Sequence, residues 1–188
     1  MKRSFDFLAC ALFLLFCWPI LLIVIIAIRL QSPGPAIFVQ VRVGKDQRPF
    51  ACYKLRTMYS GTANLPTHEV NASSLTALGG HLRRFKIDEL PQLWNVLIGD
   101  MSLVGPRPCM PSQTDLVEAR RQLGVFQVRP GITGLAQVNG IDMSDANRLA
   151  VIDAQYVRTQ SLIGDFRLIM ATLRGQGIGI DQVVRHNT

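Results

Sequence analysis

Hydrophobic and polar positions are unevenly divided along the chain. From Phe7 to Ile28 the sequence is uncharged and apolar for roughly 22 residues, enough for a helix to cross a bilayer. The run is too long for a signal peptide, and no small-residue cleavage site follows it. Trp18-Pro19 interrupts it near the centre. Proline there removes a hydrogen bond to the Leu15 carbonyl, which kinks or breaks the helix. A straight helix of this length rises about 33 Å and crosses fully, whereas limbs broken at Pro19 measure about 15 Å and reach mid-plane. Lys2 and Arg3 precede the run; Arg29, Arg42, Lys45 and Arg48 follow it. Basic residues on both flanks fit a re-entrant hairpin with both ends in the cytoplasm. A Pro-kinked spanning helix is the alternative.

The remainder alternates between short apolar runs and turn signals. Gln31-Ser32-Pro33-Gly34-Pro35 cannot continue a helix. Ala36 to Val43 partly alternates and Phe50 to Leu55 is apolar and aromatic, so with Gly44-Lys45-Asp46 between them they predict a β-hairpin. Residues 60–74 are polar and turn-rich, which predicts a surface loop. One helix is expected from Leu75 or after Gly79-Gly80, and another near Asp88, with Pro91 tolerated close to its start. A charged amphipathic helix is expected from Ser112 to Val128, a turn over Pro130 to Gly134, and a helix from Asp145 to Gln160. Leu162, Ile163, Phe166, Ile169, Met170 and Leu173 then share one helical face, with Arg167 and Arg174 outside it. Such a face serves either a protein core or a membrane interface. The sum is an α+β fold, mostly helical.

At 188 residues there is room for one domain, or one domain and a membrane segment. The net charge of +7 suits nucleic acid, an anionic membrane surface or phosphorylated substrates. Aromatic residues are sparse and no nucleic-acid motif occurs, so nucleic acid is not expected as a partner. Cys10 and Cys17 lie in the apolar run, Cys52 and Cys109 stand far apart, and no CxxC occurs, which points to a reducing compartment. His68, His81 and His186 lack metal-ligand spacing and read as structural or exposed.

The chemistry concentrates between Arg83 and Pro108. Asp88 and Glu89 follow Arg83, Arg84 and Lys86; Asp100 comes next, then Arg107 between Pro106 and Pro108. Acids among bases suit reactions at phosphate, where the bases hold the anion while a carboxylate attacks it or binds a metal. A solvated helix face with ordinary ion pairs would carry the same charge pattern.

KRSFDF at the N-terminus, SPGPAIFVQVRVG, YKLRTM, RRFKIDELPQLWNVLIGDMSLVGPRP and RPGITGLAQVNG together resemble one family over nearly the whole chain. It is that of the bacterial sugar transferases, the small monotopic polyprenyl-phosphate phosphoglycosyl transferases, in their minimal catalytic form. The resemblance implies transfer of a sugar 1-phosphate from a UDP-sugar to undecaprenyl phosphate, with release of UMP, as the first membrane step of O-antigen, capsule, exopolysaccharide or glycoprotein glycan synthesis. It implies a re-entrant helix-break-helix anchor over residues 1–30. Residues 31–188 would then form a catalytic domain, with amphipathic interfacial helices, on the cytoplasmic face of the bacterial inner membrane. UDP-N-acetylamino sugars and UDP-hexoses both remain open as donors, as does the oligomeric state.

The resemblance also assigns roles. Asp88 matches the nucleophile that forms an aspartyl phosphosugar, and Glu89 the neighbouring acid that holds Mg²⁺ against the diphosphate. On a helix the two would point about 100° apart, one to phosphorus and one to metal. Arg83 and Arg107 match anion-binding arginines, Lys54 a basic position in YKLRTM, and Asp165 a late acid of the site. A helix N-terminal charge would explain Asp165 equally well. Asp100 reads as structural.

Three positions depart from the family pattern. Lys86 replaces a small hydroxyl residue, Trp18 a serine before the membrane proline, and Ile141 an arginine after QVNG. A catalytically silent membrane-anchored scaffold is the competing reading, and the intact acid pair with its arginines argues against it.

Overall fold

The computed structural model describes residues 2–61 and 74–175; His68, His186 and most of the loop expected over 60–74 lie outside these residues. The chain is mostly helical with a small proportion of strand. Its N-terminal helix, α1 (Lys2–Gln31), is long and apolar enough to cross a membrane. It runs through Pro19 as one helix, so the separation into two helices expected at Trp18-Pro19 is not seen. Proline removes one backbone donor, and the hydrogen bonds on either side of it can keep the segment helical.

Both ends of α1 are held by the same body. At its start Lys2 pairs with Asp165 and donates to the Val104 carbonyl at 3.1 Å. Arg3 donates to the Val96 and Leu97 carbonyls, and the Asp6 carboxylate accepts from Ser102 Oγ at 2.7 Å. At its far end Arg56 Nη2 donates to the carbonyls of Ile28 at 3.3 Å and Ser32 at 2.7 Å. A cation placed there complements the negative end of the helix dipole. Cys10 is buried against Cys52, Leu93, Val96 and Met101, and Ile28 against Ala36, Leu55 and Leu82. Leu8, Leu12, Leu15, Phe16, Ile23 and Leu30 stay exposed, so α1 has a second apolar face that protein does not cover.

Strands β1 (Ile37–Val43) and β2 (Pro49–Leu55) form the expected hairpin, antiparallel, with Gln40 opposite Cys52 and Phe38 opposite Lys54. The alternation of a strand turns Gln40 and Arg42 inward and leaves Val39 and Val41 outside. Next comes α2 (Ala77–Arg84), opened by the Thr76 side chain accepting from Gly79 N–H. A 3₁₀ turn over Ile87–Glu89 then leads into α3 (Gln92–Ile98). Asn95 on α3 is fully buried and bridges to β2, accepting from Tyr53 N–H at 3.1 Å and donating to the Ala51 carbonyl at 2.7 Å.

Strand β3 (Ser102–Val104) pairs in parallel with β4 (Gly131–Thr133), Ser102 opposite Gly131 and Val104 opposite Thr133. The segment expected as a turn over Pro130 to Gly134 is therefore largely strand. Its backbone passes so close to its neighbour that a Cβ on Gly131 would stand 2.0 Å from the Gly105 nitrogen, which only glycine permits.

Helix α4 (Thr114–Gln122) is shorter than expected, because Gly124 at φ +71° ends it and a 3₁₀ turn over Val125–Gln127 follows. A short α5 (Leu135–Val138) leads to α6 (Ala146–Thr159), opened by Asp145 accepting from Arg148 N–H. Cys109, Leu116, Ala136 and Leu149 close a core between them. The last helix, α7 (Leu162–Leu173), has the expected apolar face, but Leu162, Ile163, Phe166 and Leu173 on it are exposed.

Candidate active site

The site begins at a reversal of the chain. Lys86, with φ 56° and ψ 21°, occupies the left-handed region that non-glycine residues seldom adopt. It ends α2 and starts the 3₁₀ turn that carries Asp88 and Glu89, so the two acids sit in a tighter turn than the helix expected there. Glu89 Oε1 accepts from Lys54 Nζ at 3.0 Å and from Arg107 Nη2 at 2.6 Å. Lys54 comes from β2 and Arg107 from the segment after β3, so parts distant in sequence meet at one carboxylate oxygen.

The adjacent acids are driven in opposite directions. Burial and the charge of Glu89 push Asp88 up to about 6, although Lys54, Arg83 and Arg107 pull the other way. Burial acts to raise Glu89 too, but Arg107 and Lys54 outweigh it and hold the group well below the usual carboxylate range. A pair separated in this way gives one permanently ionised acid and one poised near neutrality. Arg83 donates from Nε to Thr57 Oγ1 at 3.0 Å; burial lowers its pKa while Asp88 and Glu89 act to raise it. Gly79 lets α2 dock there, since a Cβ would stand 2.0 Å from the Thr57 carbonyl oxygen.

Asp88, Glu89, Lys54, Arg83 and Arg107 thus come together. Asp165, on α7, pairs with Lys2 and accepts from the Tyr156 hydroxyl at 2.8 Å. Asp100 sits in the turn after α3, where its backbone N–H donates to the Asn95 carbonyl at 2.9 Å. His81 is exposed, as expected.

Two arginines that sequence reasoning missed hold the Arg107 segment by its backbone. Arg120 is buried at 1% exposure and donates from Nη1 to the Arg107 carbonyl at 2.8 Å. Its Nε and Nη2 reach Asp153 Oδ2 at 2.9 and 2.6 Å. Arg42 Nη1 donates to the Pro108 carbonyl at 3.0 Å. A signal for Arg120 existed, since it follows buried Leu116 by one helical turn and shares its inward face.

Among the described residues no group of three or more His, Cys, Asp and Glu could enclose a metal. Mg²⁺ is ordinarily bound by one or two carboxylates together with substrate phosphates and water. The Asp88–Glu89 pair fits that incomplete donor set, and the charge that burial penalises on Asp88 is of the sign a cation relieves.

Residues 1–176 match the family described as bacterial sugar transferase. An undecaprenyl-phosphate glucose phosphotransferase of Komagataeibacter xylinus is 40% identical over 186 residues, covering 92% of this chain and 35% of that protein. A UDP-glucose:undecaprenyl-phosphate glucose-1-phosphate transferase of Caulobacter vibrioides is 40% identical over 181 residues, covering 92% of this chain and 68% of that one. A UDP-N-acetylgalactosamine-undecaprenyl-phosphate N-acetylgalactosaminephosphotransferase of Aeromonas hydrophila is 36% identical over 180 residues, covering 92% and 43%. The chain spans only part of each of these relatives, about a third of the first. Since the family match runs across α1, the hairpin, the acid pair and the Arg107 segment alike, the chain belongs to the bacterial sugar transferase family.

Proposed function

We propose that the protein transfers a sugar 1-phosphate from a UDP-sugar to undecaprenyl phosphate, releasing UMP and starting a lipid-linked glycan. The observation that carries this reading is the geometry of the acid pair: Glu89 Oε1 meets Lys54 Nζ at 3.0 Å and Arg107 Nη2 at 2.6 Å, beside a buried Asp88 that burial and the charge of Glu89 push up to about 6. The donor diphosphate settles against Lys54, Arg83 and Arg107, and the planar guanidinium of Arg107 suits two-point contact with its oxygens. A carboxylate is a weak nucleophile, so this neutralisation must precede attack.

An Asp88 oxygen then attacks the sugar-bearing phosphorus. The new oxygen–phosphorus bond forms as the bond to UMP breaks, and UMP leaves with the electron pair. In the second half an oxygen of undecaprenyl phosphate attacks the same phosphorus. The bond to Asp88 breaks, the carboxylate is restored, and the lipid carries a diphosphosugar. Neither half needs a proton transfer. Mg²⁺ held by Glu89, with Asp88 adjacent, would supply further neutralisation of the diphosphate oxygens.

The anchor is re-entrant in this reading, with the catalytic part on the cytoplasmic face of the bacterial inner membrane. What supports it is that one body holds both ends of α1, through Lys2 and Arg3 at one end and Arg56 at the other. Exposed apolar residues on α1 and α7, with Trp94 and Ile98 on α3, give that body a face for lipid. Single cysteines placed at both flanks of α1 should be labelled from the same side; labelling from opposite sides would establish a spanning helix.

The main test is UMP release by membranes containing the protein, with undecaprenyl phosphate, Mg²⁺ and a panel of UDP-sugars. UDP-glucose and UDP-N-acetylgalactosamine come first, as the donors named for relatives. Asp88→Asn should remove turnover and any radiolabelled protein–phosphosugar adduct together. Normal turnover by that variant would refute the nucleophile, and no UMP from any donor would favour a silent scaffold.

A further inference from the structure

Ion pairs around the site match cations with acids. Glu89 takes Lys54 and Arg107, Asp153 takes Arg120, and Asp165 takes Lys2. Arg42 is different. It lies on β1 at 5% exposure, and among the described residues no carboxylate pairs with it. Its guanidinium donates to neutral acceptors: Nε to Gln40 Oε1 at 2.8 Å, Nη2 to the same oxygen, and Nη1 to the Pro108 carbonyl at 3.0 Å.

Taking a charge out of water without a counter-ion is unfavourable unless dipoles or other anions replace the lost hydration. Arg56 is also buried without a carboxylate, but it gathers the carbonyls of Ile28, Ser32 and Pro33 at the negative end of α1. Arg42 has one amide oxygen and one carbonyl. Burial and the neighbouring charge of Arg107 lower its pKa to about 10, which still leaves it ionised at neutral pH. Glu89 lies within its electrostatic reach but is already shared by Lys54 and Arg107. Arg42, Lys54, Arg83 and Arg107 therefore outnumber Asp88 and Glu89, and the free site has positive charge in excess.

We propose that Arg42 is a positioning residue of the donor site: it holds the Arg107 turn through the Pro108 carbonyl and supplies, from behind that turn, the unpaired charge that a nucleotide donor's diphosphate offsets. The assignment rests on the donor being a diphosphate, as argued above. Arg42 itself touches no substrate.

The test uses the full chain in detergent and inorganic pyrophosphate as the probe, with binding read from the thermal shift. Arg42→Gln should weaken pyrophosphate binding about tenfold, the effect of one charge acting across several ångströms of protein. Arg42→Lys, which keeps the charge, should recover most of that affinity. Gln40→Glu covers the case in which Arg42→Gln does not fold. It gives Arg42 a carboxylate of the same shape as its present acceptor, so the ligand-free protein should melt no lower than wild type while pyrophosphate binding falls about tenfold.

A purely structural Arg42 would leave Arg42→Lys as impaired as Arg42→Gln, because lysine keeps the charge but loses the guanidinium contacts to Gln40 and the Pro108 carbonyl. The charge itself is tested by Gln40→Glu. Binding within twofold of wild type in that variant, or no binding by wild type, overturns the proposal. In UMP release, the KM for the UDP-sugar should rise in step with the pyrophosphate dissociation constant. If the pyrophosphate results hold but no UDP-sugar yields UMP, the functional reading fails and Arg42 remains part of a diphosphate site. If UMP is released and Gln40→Glu keeps its affinity, only the Arg42 assignment fails.

Discussion

The Arg107 carbonyl accepts from Arg120 Nη1 at 2.8 Å, so the arginine that meets Glu89 is itself held in place by a second, buried arginine. Arg120 can occupy that position because Asp153, 1% exposed, neutralises it. Removing the acid leaves a buried charge unpaired, which costs about 3–5 kcal/mol. Asp153→Ala should therefore lower the melting temperature by roughly 10 °C, at about 2–4 °C per kcal/mol for a chain of this size. Below that transition the variant should also turn over more slowly than wild type, because the Arg107 backbone has lost a firm support. A melting temperature within 2 °C of wild type, compared side by side in one detergent, would show that the pair contributes little.

Activity should depend on pH through Asp88. In the proposed reaction attack needs the carboxylate, and burial with the charge of Glu89 pushes that group up to about 6. Plotted against pH, kcat/KM for the donor should rise through a limb near 6 and level off above it, since the reactive form is the deprotonated one. Glu89 stays ionised throughout, being held far lower by Arg107 and Lys54. Glu89→Gln removes one of the causes that raise Asp88, so any residual activity should show its limb at lower pH. A limb that stays in place would mean that Glu89 has no hold on Asp88.

Several of these contacts could be anticipated from sequence, and the exceptions have physical causes. The hairpin was legible because Gly44-Lys45-Asp46 separates two strand-like runs, and α6 because Asp145 caps an amphipathic stretch. The parallel pairing of β3 with β4 was not, since each is three residues long and the contact depends on Gly105 meeting Gly131. The acid pair and its arginines were read from the motifs. That Lys54 and Arg107 converge on one oxygen of Glu89 lies in no spacing. Nothing about a lysine announces the left-handed conformation of Lys86, and without it the acids read as helical. Arg120 escaped notice because a charged amphipathic helix is expected to keep its charges in solvent.

Lys2 and Asp165 should behave as a unit. The pair joins the start of α1 to α7 and, through the Val104 carbonyl, to the strand that leads to Arg107. In a double-mutant cycle, Lys2→Met and Asp165→Asn should couple by at least about 1 kcal/mol in thermal stability. Both variants should reduce turnover to a similar degree, and the double variant little further. If Asp165→Asn lost far more turnover than Lys2→Met, Asp165 would have to act on substrate directly.

Asp88→Asn should be more stable than wild type at pH 7. A carboxyl group whose folded pKa of about 6 lies above its ordinary 3.8 favours the folded state only while protonated. As pH rises from 3.8 towards 6 the unfolded chain ionises first, and the folded protein loses stability across that window. Above it the penalty is complete, of the order of 1–3 kcal/mol. Asparagine is uncharged at every pH and escapes it. The variant should therefore melt about 3–8 °C higher at pH 7 and close to wild type at pH 4. An aspartate kept for packing alone would show no such gain, and a lower melting temperature at pH 7 would mean that Arg83, Lys54 and Arg107 stabilise the carboxylate more than burial opposes it. A gain accompanied by loss of turnover would mark Asp88 as a group held ionised, at the expense of the fold, for the reaction it performs.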